Sequence, residues 1–116
     1  MMINIQEIKE EYNNYLDRVG EAAHTIAELL RENQIPEALG LIGDLSEGMN
    51  WLSEVNSKLK ILNESVELNI NSIGEFLLEI NNGLEIQDFV LVADLFEYEV
   101  SPFFINCNKY DLTSEQ

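Results

Sequence analysis

The chain is poor in the residues that crosslinking and catalysis most often require. It has one cysteine, Cys107, one histidine, His24, and two prolines, Pro36 and Pro102. One cysteine excludes an intrachain disulfide framework and makes no metal site by itself. Dinuclear iron or manganese sites in helical bundles need a Glu-x-x-His pair on each of two helices. Glu21-Ala-Ala-His24 is the one such spacing here, so that constellation cannot assemble. A Ser-His or Cys-His nucleophilic site has only His24 to draw on. GLIGDLSEG (40–48) lacks the lysine of a phosphate-binding loop and follows no strand. No calcium loop of alternating acids is present. An enzyme is not expected, and neither is a metal or other cofactor.

Long hydrophobic runs are also missing. The longest strictly apolar run is FVLVA (89–93), far below the ~20 residues of a membrane span. MMINIQEIKEE has no cationic stretch leading into an apolar one, so a secretory signal is not expected. A reducing cytoplasm is the expected compartment. Basic residues are scarce as well. Six Lys and Arg face 22 Asp and Glu, a formal net charge of -16. Such a surface repels phosphate backbones and anionic lipid headgroups, so neither nucleic acid nor a membrane is an expected partner. A basic protein or peptide is attracted by the same field.

What the chain does have is helical periodicity. Its 116 residues fit one domain, with 46% hydrophobic content for a core. The first ladder is Ile5, Ile8, Tyr12, Tyr15, Val19, Ala22, Ile26, Leu29, in steps of three and four. It predicts a helix over 3–33, with Glu10, Asp17, Glu21 and His24 on the opposite face. Gly20 lies inside it at a cost of about 1 kcal/mol against alanine. Asn33 suits a left-handed helix end, and Pro36 suits the first turn of the next helix. The second helix is predicted over 36–62 from Leu41, Leu45, Gly48, Leu52, Val55, Leu59 and Leu62. Gly40, Gly43 and Gly48 either let a neighbour approach closely or mark a kink near Gly48, with close approach favoured.

Asn63, Glu64 and Ser65 offer capping side chains for a third helix over 65–82, which Gly83 is expected to close. A fourth helix is predicted over 87–108, kinked or broken near Ser101 by Pro102. The tail from about 110 is expected to fray. Together these elements predict an all-α, four-helix up-down bundle.

The fourth helix carries two ladders. Ile86, Phe89, Ala93, Phe96, Val100 and Phe103 form the expected core face. Leu91, Leu95, Tyr98, Pro102 and Ile105 form a second face roughly opposite. A peripheral helix needs one buried face, so the second one asks for a cover. A second copy of the chain is the first expectation, because twofold homodimers are the commonest oligomers. Leu91, Leu95, Tyr98 and Ile105 are therefore the expected partner or dimer interface. Asp94, Glu97 and Glu99 look site-like but project in different directions from one helix. Glu97 falls at the edge of the core stripe and needs a partner there; Arg18 is the expected one, with Tyr12 and Tyr15 as neutral alternatives. Cys107, beside an aromatic pair, reads as a buried, inert thiol.

The run LFEYEV (95–100) followed by FFINCN (103–108) resembles the closing helix of flagellin export chaperones. The shared pattern is leucine, an aromatic, an acid and tyrosine at 95–98, then an asparagine after an apolar turn. The resemblance implies a small cytosolic four-helix bundle that clasps a helical segment in a groove. The opening of the chain departs from that family's pattern, so no binding residues carry over. The expected function is a non-enzymatic protein-interaction module: a homodimeric adaptor or chaperone-like helix binder. The alternative is an acidic antagonist, an immunity protein or nucleic-acid mimic that captures a basic partner.

Overall fold

A computed structural model of the chain describes residues 4–64 and 66–112. Helix α1 spans Ile5–Arg31, α2 spans Ile35–Ile61 and α3 spans Ile70–Glu85. The fourth rod is composite. Helix α4, Phe89–Asp94, runs into a π-helical segment, Leu95–Val100, and then into α5, Ser101–Ile105. No strand occurs among the described residues, and no helix among them is long and apolar enough to cross a membrane. The rods form the expected all-α up-down bundle. α1 and α3 each lie against α2 and the fourth rod, and their own backbones stand at opposite corners. The bundle measures 50 × 27 × 21 Å with a radius of gyration of 15.3 Å, more elongated than the ~13 Å of a compact chain of this length.

The turns are built alike. Asn33, Asn63 and Gln87 each take a left-handed φ, of 63°, 65° and 57°. At each, the next residue's N–H reaches back five residues: Gln34 to Leu29 O, Glu64 to Leu59 O and Asp88 to Gly83 O, at 2.8, 2.8 and 2.9 Å. This closure satisfies carbonyls that a helix end leaves free. Asn33 does what the sequence predicts. Gly83 does not close α3; Gln87 does, and Gly83 lies buried inside the helix facing Val92.

The third helix starts later than expected. Asn69 Oδ1 accepts from Ser72 N at 3.0 Å and sets the start at Ile70. Residues 66–69 are not helical, and the half-buried Val66 and Leu68 pack against the core from that segment. The expected start at Ser65, like that of the first helix at Ile3, lies outside the described residues, as do 113–116. α2 runs unbroken through Gly48. The fourth rod also runs unbroken through Pro102; of the kink or break expected near Ser101, the break does not occur. Pro102 has no N–H, and the turn before it is widened so that Ser101 N bonds Phe96 O, five residues back.

The core face of α1 is rotated from the expected ladder. Tyr12, Leu16, Val19, Ala23, Ile26 and Leu30 are buried, while Ile5, Ile8, Tyr15, Ala22 and Leu29 are half-buried at its edge. The rotation follows from position: α1 must serve α2 on one side and the fourth rod on the other.

The far end of the bundle is closed by polar groups. Residues 106–112 leave the helix and continue along α1 toward its start, so the tail is not frayed at Tyr110, which is 5% exposed. Asn13 Nδ2 donates to Tyr110 O at 2.9 Å, and Tyr110 N donates to Asn13 Oδ1 at 2.8 Å. Asn56 Nδ2 donates to Val66 O at 3.0 Å and to Tyr110 Oη at 3.2 Å. The Tyr110 ring meets Tyr12 edge-on at 4.9 Å. Lys109 pairs with Asp17, and the buried Lys9 ammonium pairs with Glu64. Tyr110→Ala is expected to lower stability by about 3 kcal/mol, as loss of a buried aromatic does. The check is a urea midpoint that falls at constant slope; a loss under about 0.5 kcal/mol would mean a frayed tail.

Candidate functional site

The structure redistributes the residues of the expected interface. Tyr98 and Ile105 are 66% and 65% exposed and Leu91 is 42% exposed, but Leu95 is 4% exposed. Leu95 is a core residue, not part of an outer face. The cause is the π-helical turn. Buried Val92, Phe96, Val100 and Phe104 step by four, a spacing that drifts round a helix of 3.6 residues per turn. The wider turn removes the drift and swings Leu95 inward. Phe104 thereby takes the fully buried place expected for Phe103, which is half-buried against Phe76 and Phe104 at 5.2 and 4.9 Å. Ile86 lies beyond the rod and is exposed.

The outer face is also partly covered from within. Ile105 leans over Gly20 on α1, where a Cβ would come 2.7 Å from its Cγ1. The Arg31 guanidinium lies 6.0 Å from the Tyr98 ring centroid. Arg31 is also the partner of Glu97, in place of the expected Arg18, and it holds Asp94 at 2.7 Å. The antiparallel run of α1 past the fourth rod explains the exchange: the last turn of α1 faces the start of the rod, while Gly20 faces Ser101. Asp94 and Glu97 are thus joined by one cation, and neither Tyr12 nor Tyr15 serves Glu97.

Arg18 stands elsewhere, over the ring of Tyr15 at 5.5 Å from its centroid. This contact belongs to an open cleft of about 650 Å³ between α1 and α2. Glu11, Tyr15 and Arg18 line it from α1, and Asp44, Glu47, Gly48 and Trp51 from α2. Tyr15 and Trp51 meet edge-on at 5.9 Å. Burial raises the pKa of the Tyr15 hydroxyl, Arg18 opposes that rise and Asp44 adds to it. Gly48 makes the arrangement possible, because a Cβ there would sit 1.6 Å from Tyr15 Oη. The close approach expected at the glycines of α2 is real at Gly48, whereas Gly40 and Gly43 face open space. Sequence periodicity gave no sign of the cleft. The signal in the chain was a glycine on the apolar ladder of α2, facing a helix whose apolar edge carries tyrosine.

Other reactive groups are set apart. No cluster of three metal-ligating side chains occurs among the described residues. His24 is exposed on α1, 3.9 Å from Glu28. Burial pushes the Cys107 thiol up to about 11, so it is protonated and a poor nucleophile at neutral pH.

Two glycine substitutions separate the cleft from helix propensity. Gly43→Ala is expected to stabilise the protein by up to about 1 kcal/mol, the ordinary gain inside a helix. Gly48→Ala is expected to cost about 1–3 kcal/mol, because Tyr15 must leave its seat, and to change Trp51 fluorescence. Thermal melts and emission spectra check both, and a stabilised Gly48→Ala protein would contradict the packing.

No curated protein and no solved structure matches the chain, so the likeness of residues 95–108 to flagellin export chaperones gains no support from relatives. A family match covers residues 7–110, from the first turn of α1 to the buried Tyr110. The chain belongs to the family described as a domain of unknown function, DUF8042.

Proposed function

We propose that the protein is a non-enzymatic, cytoplasmic interaction module that captures a basic protein partner through its acidic surface. The observation that carries this reading is the state of its carboxylates. Lys and Arg side chains pair with Asp17, Glu64, Asp94 and Glu97, while the chain carries 22 acids against six Lys and Arg. Glu11, Asp44 and Glu47 line one cleft, and none of them is in such a pair. Unneutralised charge of one sign speeds encounter with the opposite sign and disfavours acidic competitors. Partners isolated with the protein from its native cell at low salt are expected to be basic and to elute by about 0.5 M salt, where the Debye length falls to a few ångström. A partner retained at that salt through an amphipathic apolar helix would overturn this reading.

A second reading is favoured by the exposure of Leu91, Tyr98 and Ile105 on the fourth rod. It is a homodimer or a helix-binding adaptor, the function class that the chaperone resemblance implies. It predicts a dimer by light scattering that Tyr98→Asp dissociates without loss of helicity. A strict monomer at tens of micromolar ends the dimer form of it.

A further inference from the structure

Aromatic rings and carboxylates converge in the cleft between α1 and α2. We propose that this cleft is the docking site for arginine or lysine side chains of a basic partner segment, seated against Tyr15 and Trp51 and paired with Asp44, Glu47 and Glu11. The proposal rests on the capture of a basic partner and names where it occurs.

Three observations carry it beyond a cluster of acids. First, the cleft is built. Tyr15 lies in a seat that only glycine at 48 leaves open, and Trp51 closes on it edge-on. Second, the cleft already receives a cation. Arg18, from the same chain, lies within cation–π range of Tyr15 and forms no ion pair with a carboxylate of the described residues. A guanidinium is thus accommodated on the aromatic wall, while the acids opposite stay free. Third, the sign of the charge selects the ligand: three carboxylates face one arginine. An anion meets net repulsion, and a neutral apolar helix would desolvate charges without pairing them. A volume of about 650 Å³ exceeds one side chain and suits a short segment. The rings contribute where a cation is partly desolvated, and the carboxylates set the salt dependence.

Trp51 is the only tryptophan, so its fluorescence reports the cleft directly. The probe is a short peptide of alternating arginine and alanine, titrated at about 0.05 M salt, beside a peptide with glutamine for arginine. The arginine peptide is expected to give a saturable change and the glutamine peptide none. Asp44→Asn with Glu47→Gln should weaken binding about tenfold, a change of about 1.4 kcal/mol. These carboxylates are exposed, so the variant is expected to fold, which circular dichroism checks. Glu75→Gln with Glu79→Gln removes the same charge from the exposed side of α3, which does not line the cleft, and should change affinity less than about twofold. If both double variants weaken binding equally, attraction is diffuse: the cleft assignment falls and basic-partner capture stands. If the arginine peptide does not bind at all, both fall. Equal binding of the glutamine peptide overturns the cation assignment.

Discussion

Helix α1 must be buried on two sides by elements whose backbones are not neighbours of each other. α2 takes one side and the fourth rod takes the other, with α3 on the far diagonal. A single heptad seam is too narrow for that role, so the apolar face of α1 widens to include Leu16, Ala23, Ala27 and Leu30 beside Tyr12, Val19 and Ile26. Small residues decide how near the fourth rod can come. At Gly20 the backbone carbonyl of α1 accepts from Ser101 Oγ at 2.9 Å, and Ile105 covers the space a methyl group would occupy. The glycine that looks like a cost in an isolated helix is the point at which two rods meet.

That constraint reaches the composite shape of the fourth rod. To stay against α1 over its full length, the rod must keep one face turned inward although Pro102 removes a backbone donor. The π-helical turn does both. It places Ser101 N–H on Phe96 O and keeps Val92, Phe96, Val100 and Phe104 in line. Two apolar ladders in the sequence therefore do not mean two apolar surfaces. One residue of the second ladder, Leu95, belongs to the core, and the rest of that ladder shares its side of the rod with Ile105's cover over Gly20 and Arg31's contact with Tyr98.

The helices were legible because apolar spacing states them directly, and their up-down order because the turns between them are short. The left-handed Asn33 was legible because asparagine tolerates that conformation. Gln87 was not, because glutamine carries no such preference and Gly83 was the stronger local signal. The closed polar end was illegible for a related reason. Asn13, Asn56 and Lys9 fall on buried faces, where a ladder that counts only apolar residues passes over them. The partner of Glu97 depended on the relative register of α1 and the fourth rod, which no single-helix pattern contains. The cleft depended on the same kind of information, since Tyr15 and Gly48 are unremarkable until two helices are set side by side.

The distribution of cations connects fold to function. Lys9, Arg31 and Lys109 tie the two ends of the bundle to Glu64, to Asp94 and Glu97, and to Asp17, and Arg18 rests on Tyr15. Lys58 and Lys60 occupy the last turn of α2, where a positive charge complements the helix dipole. Every basic side chain thus has a local use at a seam, a ring or a helix end. Six cations cannot offset 22 acids, so the outward field stays negative and mobile counterions or an external cation must neutralise the rest. Counterions released on binding favour a multivalent basic partner over single ions, most strongly at low salt. Where carboxylates stand beside half-buried rings, as in the α1–α2 cleft, cation–π attraction adds a component that survives screening better than bare charge does. A surface made acidic throughout can in this way hold one preferred position for a partner.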